Sequence, residues 1–251
     1  IQGPDLMNNM MEQAEKFGTD IRYEDVVKLE LAGEVKRVHL EDEVLETRTV
    51  IFSTGSAYRK LGLEEEDKYS GHGVSYCATC DGFFFRDQDI IVVGGGDSAM
   101  EEATFLTTFA KSVTVVHRRD ELRASAAMAK RALENPKINF AWNSRVSALH
   151  GEGALESVTL TDTVTGQTRE LEATGLFVAI GSSPRSELVR DQLELDAAGY
   201  VVVSHPSTRT NVPGVFACGD VADPTYRQAI TAAASGTRAA LDAQHYLAEL
   251  N

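Results

Sequence analysis

Basic residues are scarce in this sequence. Lys and Arg total 24 against 38 Asp and Glu, for a net charge of −14. Such a surface repels phosphate backbones and anionic lipid, which argues against a nucleic-acid or membrane-surface role. Long apolar runs are missing as well, and none approaches the roughly 18 residues of a membrane-spanning helix. Residues 1–5 carry neither a basic cluster nor an apolar core, so no secretory signal is read there. They also lack an initiator Met, so an absent upstream segment is expected. Cysteine is rare: there are three, and two of them are separated by only two residues. That usage argues against a secreted disulfide framework and fits a reducing cytoplasm with one working thiol pair. The remainder is ordinary globular composition, with 43% hydrophobic and 25% charged residues over 251 positions, enough for one large domain or two modest ones.

Periodicity supplies the organisation. Pro4 and the helical spacing of Leu6, Met7, Met10, Met11, Ala14 and Phe17 predict a helix over 4–17, closed by Gly18. Alternating runs at 26–31, 35–40 and 43–47 predict an antiparallel meander. A buried strand is expected over 49–53, and the acidic run 64–67 reads as a solvated loop. A βαβ unit follows: strand 89–93, turn 94–96, helix 98–110 and strand 112–117. Further expectations are a helix over 123–133, strands at 138–141, 144–149, 157–160, 169–173 and 175–181, and a linker at 182–184. Strands at 200–204 and 214–217 and a final helix over 225–248 complete the reading. Three strands run into small residues, at Ser53-Thr54-Gly55, Ala179-Ile180-Gly181 and Ala217-Cys218-Gly219-Asp220. Open α/β sheets bind ligands at such ends, so the fold class expected is α/β with two Rossmann-like dinucleotide-binding sheets.

Two motifs carry chemistry. Gly94-x-Gly96-x-x-Ala99 follows a strand and opens a helix. Gly94 permits the tight turn, Gly96 lets backbone approach a pyrophosphate, and Ala99 allows close helix–strand packing. The helix start at Asp97 and Ser98 favours negative charge. The next strand ends in His117-Arg118-Arg119, with Arg123 beyond, where an NAD site usually carries a carboxylate. Guanidinium groups suit a 2′-phosphate, which points to NADPH; the alternative is a solvated basic turn paired with Asp120 and Glu121. Just before this unit stands Cys77-Ala-Thr-Cys80-Asp81-Gly82. This spacing lets two thiols cycle between dithiol and disulfide, with Asp81 as a general acid or base. The rival reading is a zinc set of His72, Cys77, Cys80 and Cys218. Cys218 itself reads as a buried small hydrophobe. Phe83-Phe84-Phe85 reads as core packing for at least one ring and as an exposed docking patch for others.

Taken together, Cys77-Ala-Thr-Cys80-Asp81-Gly82-Phe83-Phe84, Gly94-Gly-Gly-Asp-Ser-Ala99, His117-Arg-Arg-Asp-Glu-Leu-Arg123, Gly219-Asp220 and Tyr226-Arg227-Gln228-Ala229 resemble the low-molecular-weight, bacterial-type thioredoxin reductases. The likeness runs along essentially the whole chain. It implies a homodimeric flavoenzyme in which NADPH reduces FAD, FAD reduces the Cys77–Cys80 disulfide, and the dithiol reduces thioredoxin. It implies an FAD domain from 1–59 and 184–251, interrupted by an NADPH domain at 60–183, with hinges at 58–61 and 181–184. Cys77 and Cys80 would be the redox pair and Asp81 the proton donor. Arg118, Arg119 and Arg123 would hold the 2′-phosphate. Asp220 would meet the ribityl chain, and Arg227, Gln228 and Ala229 the isoalloxazine. Phe83 and Phe84 would meet thioredoxin. No metal is implied. The family's opening Gly-x-Gly-x-x-Gly segment is not in this sequence, so weak FAD retention is expected of the chain alone. The rival families are the flavoprotein component of an alkyl hydroperoxide reductase and the flavin-dependent dithiol oxidases. A non-catalytic NADPH-binding fragment is a further alternative.

Overall fold

The structure is a computed structural model and describes residues 1–250. Helix α1 (Gly3–Lys16) begins with Pro4 in its first turn, where no backbone N–H is needed. It ends as the Phe17 and Gly18 amides bond back to the Ala14 and Glu15 carbonyls. Strands β1 (Lys28–Glu30), β2 (Lys36–His39) and β3 (Val44–Thr47) form the expected antiparallel meander in that order. Next come β4 (Val50–Phe52) and β5 (Ser56–Tyr58).

The middle of the chain runs through β6 (Val74–Ser75), α2 (Ala78–Asp81), a 3-10 turn at Gly82–Phe85, β7 (Asp89–Val93), α3 (Asp97–Leu106) and β8 (Ser112–Val116). It continues through α4 (Ala126–Leu133), β9 (Ile138–Ala141), β10 (Ser144–His150), β11 (Ser157–Asp162), β12 (Thr168–Glu172), β13 (Gly175–Val178) and β14 (Ser182–Pro184). The chain closes with a 3-10 turn at Glu187–Val189, β15 (Val215–Ala217), a 3-10 turn at Gly219–Ala222 and the long α5 (Ala229–Glu249). Two compact units result. One is Ile1–Gly55 together with the chain from Pro184 onward; the other is the continuous stretch Ser56–Ser183. The two connecting strands, β5 and β14, pair with each other.

The continuous unit is built on a five-stranded parallel sheet of order β6-β13-β7-β8-β9. Its central strands lack a polar face because both faces are covered. Ile91, Val93, Val116, Leu176 and Val178 pack toward Val158 and Leu160 of the antiparallel β10-β11-β12 layer. Ile90, Val92, Val113, Val115 and Phe177 pack toward Ala99, Met100, Ala103 and Leu106 of α3. Alternate residues thus serve two separate cores, each fully buried Val or Ile contributing about 1.5–3 kcal/mol.

In the other unit β4 and β15 pair in parallel, with Val50 opposite Val215 and Phe52 opposite Ala217. Phe52, Val215, Ala217, Leu29, Leu31, Val201 and Val221 make one core. Phe216 and Cys218 face the other way, onto Ala239 and Ala243 of α5. Cys218 is free and buried there, and burial pushes its thiol up, as suits a small hydrophobe.

Several boundaries differ from the periodicity reading. The helix expected over 123–133 starts only at Ala126. The preceding residues are tied to the glycine turn, with the Arg123 amide on the Gly95 carbonyl (2.7 Å) and the Ser125 amide on Asp97 Oδ1 (2.7 Å). The final helix starts at Ala229 because Asp223 accepts the Thr225, Tyr226 and Arg227 amides and holds them in a loop. The strand expected over 200–204 is reduced to one bridge, Leu195 with Val201. The residues 182–184, read as linker, are a strand paired with β5.

Phe177 is fully buried, and its ring meets Phe85 edge-on at 5.2 Å between centroids. Phe177→Ala should therefore cost about 3–5 kcal/mol of unfolding free energy, read from urea denaturation followed by circular dichroism.

Candidate active site

The Cys77 and Cys80 sulfurs are joined in a disulfide. Cys77 stands at the N-cap of α2, and the Cys80 amide donates to its Sγ at 3.2 Å. Cys80 is exposed and Cys77 half-buried, so the pair opens to solvent on one side. Asp81 ends the same helix, and its Oδ2 accepts from the buried Ser75 hydroxyl at 2.7 Å. Ser75 Oγ also accepts the Cys77 amide at 3.1 Å. Tyr76 points to a different set of partners. Its hydroxyl donates to Glu66 Oε1 at 2.9 Å, and its ring stacks on Tyr58. Glu66 is fully buried and also accepts the Leu61 and Gly62 amides. Burial, followed by the Glu66 hydrogen bond, pushes the Tyr76 phenol well above its ordinary value. Ser75 and Tyr76 carry no signal in the sequence, and Glu66 corrects the reading of 64–67 as a solvated loop: it is buried because the Leu61 and Gly62 amides and the Tyr76 hydroxyl draw its carboxylate inward.

The three aromatic residues differ in burial. Phe85 packs on Phe177, while Phe83 and Phe84 are exposed at 58% and 73%. The zinc set does not form: Cys77 and Cys80 are bonded to each other, and Cys218 lies in the core of the other unit. Among the described residues no three His, Cys, Asp or Glu side chains come together as a metal cluster.

The glycine turn sits at the carboxyl end of β7. Gly94 has φ +156°, and a Cβ there would lie 2.5 Å from the Ala179 carbonyl oxygen and 2.6 Å from the Ala99 Cβ. A Cβ on Gly95 would enter the His117 ring, at 2.2–2.7 Å from three of its atoms. Gly96 is different: a Cβ there would meet nothing within 4 Å, so bare backbone faces open space. Ala99 is fully buried beneath the turn, and Ser98 is exposed beside it. Asp97 has a role the motif did not predict, since its Oδ1 anchors the Ser125 amide.

His117 is buried, its Nε2 has no hydrogen-bond partner, and Trp142 meets it edge-on. Burial drives its basicity down, with Arg123, Arg118 and Arg119 adding to the effect against a hydrogen bond to the Glu121 backbone. Arg118, Arg119 and Arg123 are all exposed. Among the described residues none of the three guanidinium groups forms an ion pair, with Asp120 and Glu121 or with any other carboxylate. A cluster of positive charge therefore stands unneutralised at the end of β8.

The other predicted site residues lie after strand ends or at the start of α5. Gly55 has φ +76°; its carbonyl accepts the Arg185 amide, and the Thr54 hydroxyl donates to the Arg185 carbonyl. Gly181 has φ +98° and its carbonyl accepts the Arg59 amide, with Ile180 half-buried before it. Gly219 has φ +71° and donates its amide to Ser235 Oγ, which opens the 3-10 turn carrying the half-buried Asp220. Burial alone would raise the Asp223 carboxyl. Hydrogen bonds from the Tyr226, Thr225 and Arg227 amides and the Thr231 hydroxyl outweigh it and hold Asp223 below the usual range. This anchor places Arg227 in the left-handed region, at φ +49°, with its guanidinium on the Pro224 carbonyl at 2.6 Å. Gln228 caps α5, reciprocally with Thr231, and Ala229 is the first helical residue. Thr54, Gly55, Gly219, Asp220, Arg227, Gln228 and Ala229 belong to the discontinuous unit; the thiol pair, the glycine turn, the arginines, Ile180 and Gly181 belong to the continuous one.

Comparison with known proteins identifies the family. Residues 3–236 match the family model described as pyridine nucleotide-disulphide oxidoreductase. The chain is 63% identical to a thioredoxin reductase of Streptomyces clavuligerus over its whole length, covering 78% of that relative. It is 57% identical to one of Mycolicibacterium smegmatis, over 99% of the chain and 80% of the relative. Among solved structures, a thioredoxin reductase from Streptococcus pyogenes superposes with a TM-score of 0.94 at 44% identity, over 99% of this chain and 81% of the other. The chain belongs to the thioredoxin reductases of the pyridine nucleotide-disulphide oxidoreductase family.

Proposed function

We propose that this chain is a thioredoxin-disulfide reductase using NADPH, FAD and the Cys77–Cys80 disulfide to reduce thioredoxin. The observation that carries the reading is one continuous unit holding both a solvent-open disulfide beside Asp81 and a bare glycine turn beside three unpaired guanidinium groups. The turn fits a dinucleotide: Gly96 offers backbone with no side chain in the way, and Arg118, Arg119 and Arg123 match the charge of a 2′-phosphate. Asp220 sits on the 3-10 turn after β15, Arg227 on the loop that Asp223 orders, and Gln228 and Ala229 at the start of α5; their carboxylate, guanidinium and amide groups suit the hydroxyls and ring edge of FAD. Thr54, Gly55, Ile180 and Gly181 line further strand ends. When bound, NADPH and FAD supply the two electrons that reduce a disulfide.

The chain's own residues do the rest. In the dithiol state one thiolate of the pair attacks a sulfur of the thioredoxin disulfide, forming a mixed disulfide and releasing one thioredoxin thiolate. The second cysteine then attacks the mixed disulfide. Cys77–Cys80 re-forms, and thioredoxin leaves with two thiols after taking up two protons. Asp81 exchanges protons with the sulfur beside it. Phe83 and Phe84, exposed next to the pair, are the contact surface for thioredoxin. The active species is a homodimer in the cytoplasm. No helix among the described residues is long and apolar enough to cross a membrane. The test is NADPH oxidation by the FAD-supplemented protein in the presence of oxidised thioredoxin; turnover with a peroxiredoxin partner alone would favour the alkyl hydroperoxide reductase reading.

Cys80→Ser should abolish thioredoxin reduction while leaving NADPH binding intact, and turnover retained by this variant would remove Cys80 from the mechanism. Arg118→Ala combined with Arg119→Ala should weaken NADPH against NADH by ~1.5–3 kcal/mol per lost charged hydrogen bond, measured by calorimetric titration. For His117, burial favours the neutral ring, so the folded state binds fewer protons than the unfolded chain. Stability from this group is therefore present above about pH 6.5 and lost as pH falls below it. Nitrogen chemical shifts of His117 should accordingly show the ring charging at lower pH than a free histidine does.

A further inference from the structure

We propose that Ser75 is a positioning residue of the thiol centre, holding the Asp81 carboxylate against the redox pair in both the disulfide and the dithiol states. The inference rests on the proposed role of Asp81 as the proton donor. Ser75 ends β6, the edge strand of the parallel sheet, and is only 4% exposed. A hydroxyl in such a place must find partners, and it has one proton to donate and two lone pairs to accept with.

Two acceptors compete for that proton. Asp81 Oδ2 lies at 2.7 Å and the Cys77 carbonyl at 3.4 Å, so the carboxylate takes it. On its accepting side the same oxygen receives the Cys77 amide at 3.1 Å. The Asp81 amide in turn bonds to the Cys77 carbonyl at 3.1 Å. Ser75, Cys77 and Asp81 are thus linked in a closed circuit of three hydrogen bonds, built on a rigid strand.

No bond of this circuit uses a sulfur atom. The Cys80 amide contact to Cys77 Sγ is separate and depends on where that sulfur sits. Breaking the S–S bond removes the covalent brace of the Cys77–Cys80 loop, yet the circuit survives. A carboxylate at the end of a four-residue helix would otherwise gain rotamer freedom once the brace opens. Ser75 removes that freedom. The acid stays in register when the thiols must exchange protons, and a displacement of the order of 1 Å there is worth roughly a hundredfold in rate.

The experiment uses the full chain reduced with dithiothreitol, desalted, and mixed with oxidised thioredoxin in a rapid-quench apparatus, so that the readout is single-turnover thiol–disulfide exchange without NADPH. Ser75→Ala, Ser75→Thr, Asp81→Asn and the Ser75→Ala/Asp81→Asn double variant are compared. Ser75→Ala should slow exchange roughly tenfold to a hundredfold, with the half-saturating thioredoxin concentration unchanged. Ser75→Thr, which keeps the hydroxyl, should recover most of the rate. In the Asp81→Asn background the loss of Ser75 should add nothing further. If Asp81→Asn slows exchange but Ser75→Ala does not, or if the two losses multiply, the positioning role is overturned while the role of Asp81 stands. If Asp81→Asn leaves the rate unchanged, the proton-donor reading fails and the role of Ser75 falls with it.

Discussion

Everything in the continuous unit hangs on how closely its backbone approaches itself at Gly94 and Gly95. At Gly94 the end of β13, the start of α3 and the end of β7 come within van der Waals contact, with no room for even a methyl group. At Gly95 the backbone lies against the His117 ring, which brings in the end of β8. Arg123 then returns its amide to the Gly95 carbonyl, so the chain after β8 is bound to the same point. Three parallel strands therefore finish at one place. The free backbone of Gly96 and the guanidinium groups beyond β8 are presented together because these contacts leave no alternative.

Charge is distributed to match. A chain with net charge −14 keeps three exposed arginines unpaired within six residues of sequence, close to the glycine turn. Exposed ion pairs are common elsewhere, for example Lys111 with Asp89 and Arg37 with Glu46. Such pairs contribute little to stability, so leaving Arg118, Arg119 and Arg123 without them gives up little. What is gained is a localised positive field on an otherwise repulsive surface, which is where an anionic ligand would be drawn. The thiol loop is organised differently. It depends on buried polar groups, Ser75 toward Asp81 and Tyr76 toward Glu66, each with defined partners in a low-dielectric setting.

Much of the architecture could be read from periodicity. The strands at Asp89–Val93 and Ile138–Ala141 were legible to the residue, the first because a buried parallel strand is an apolar run and the second through the alternation of Ile138 and Phe140 with an exposed Asn139. The meander was legible through alternation, and the thiol pair and glycine turn through spacing. Failures occurred where a distant partner decides the outcome. Ala126 begins α4, not residue 123, because Gly95 and Asp97 hold the preceding amides, and no pattern near 123 announces this. Asp223 delays α5 in the same manner, by drawing three amides into a loop that helical periodicity alone would have continued through. Ser75 and Glu66 are ordinary residues in sequence and become significant only when burial leaves their polar atoms a single set of partners.

The division of the chain also governs how it is made. One unit is continuous, while the other needs β4 to find β15 across the whole intervening stretch. On a ribosome the continuous unit can complete its sheet as soon as β13 emerges, whereas β15, the strand paired with β4 among the described residues, follows later. Domains fold as units during synthesis, and distant pairings are the slow ones. The pairing of β5 with β14 acquires a second meaning in that setting. By bringing the two exits of the folded insert side by side, it turns a long loop into a short one and lowers the entropic cost of the last closure.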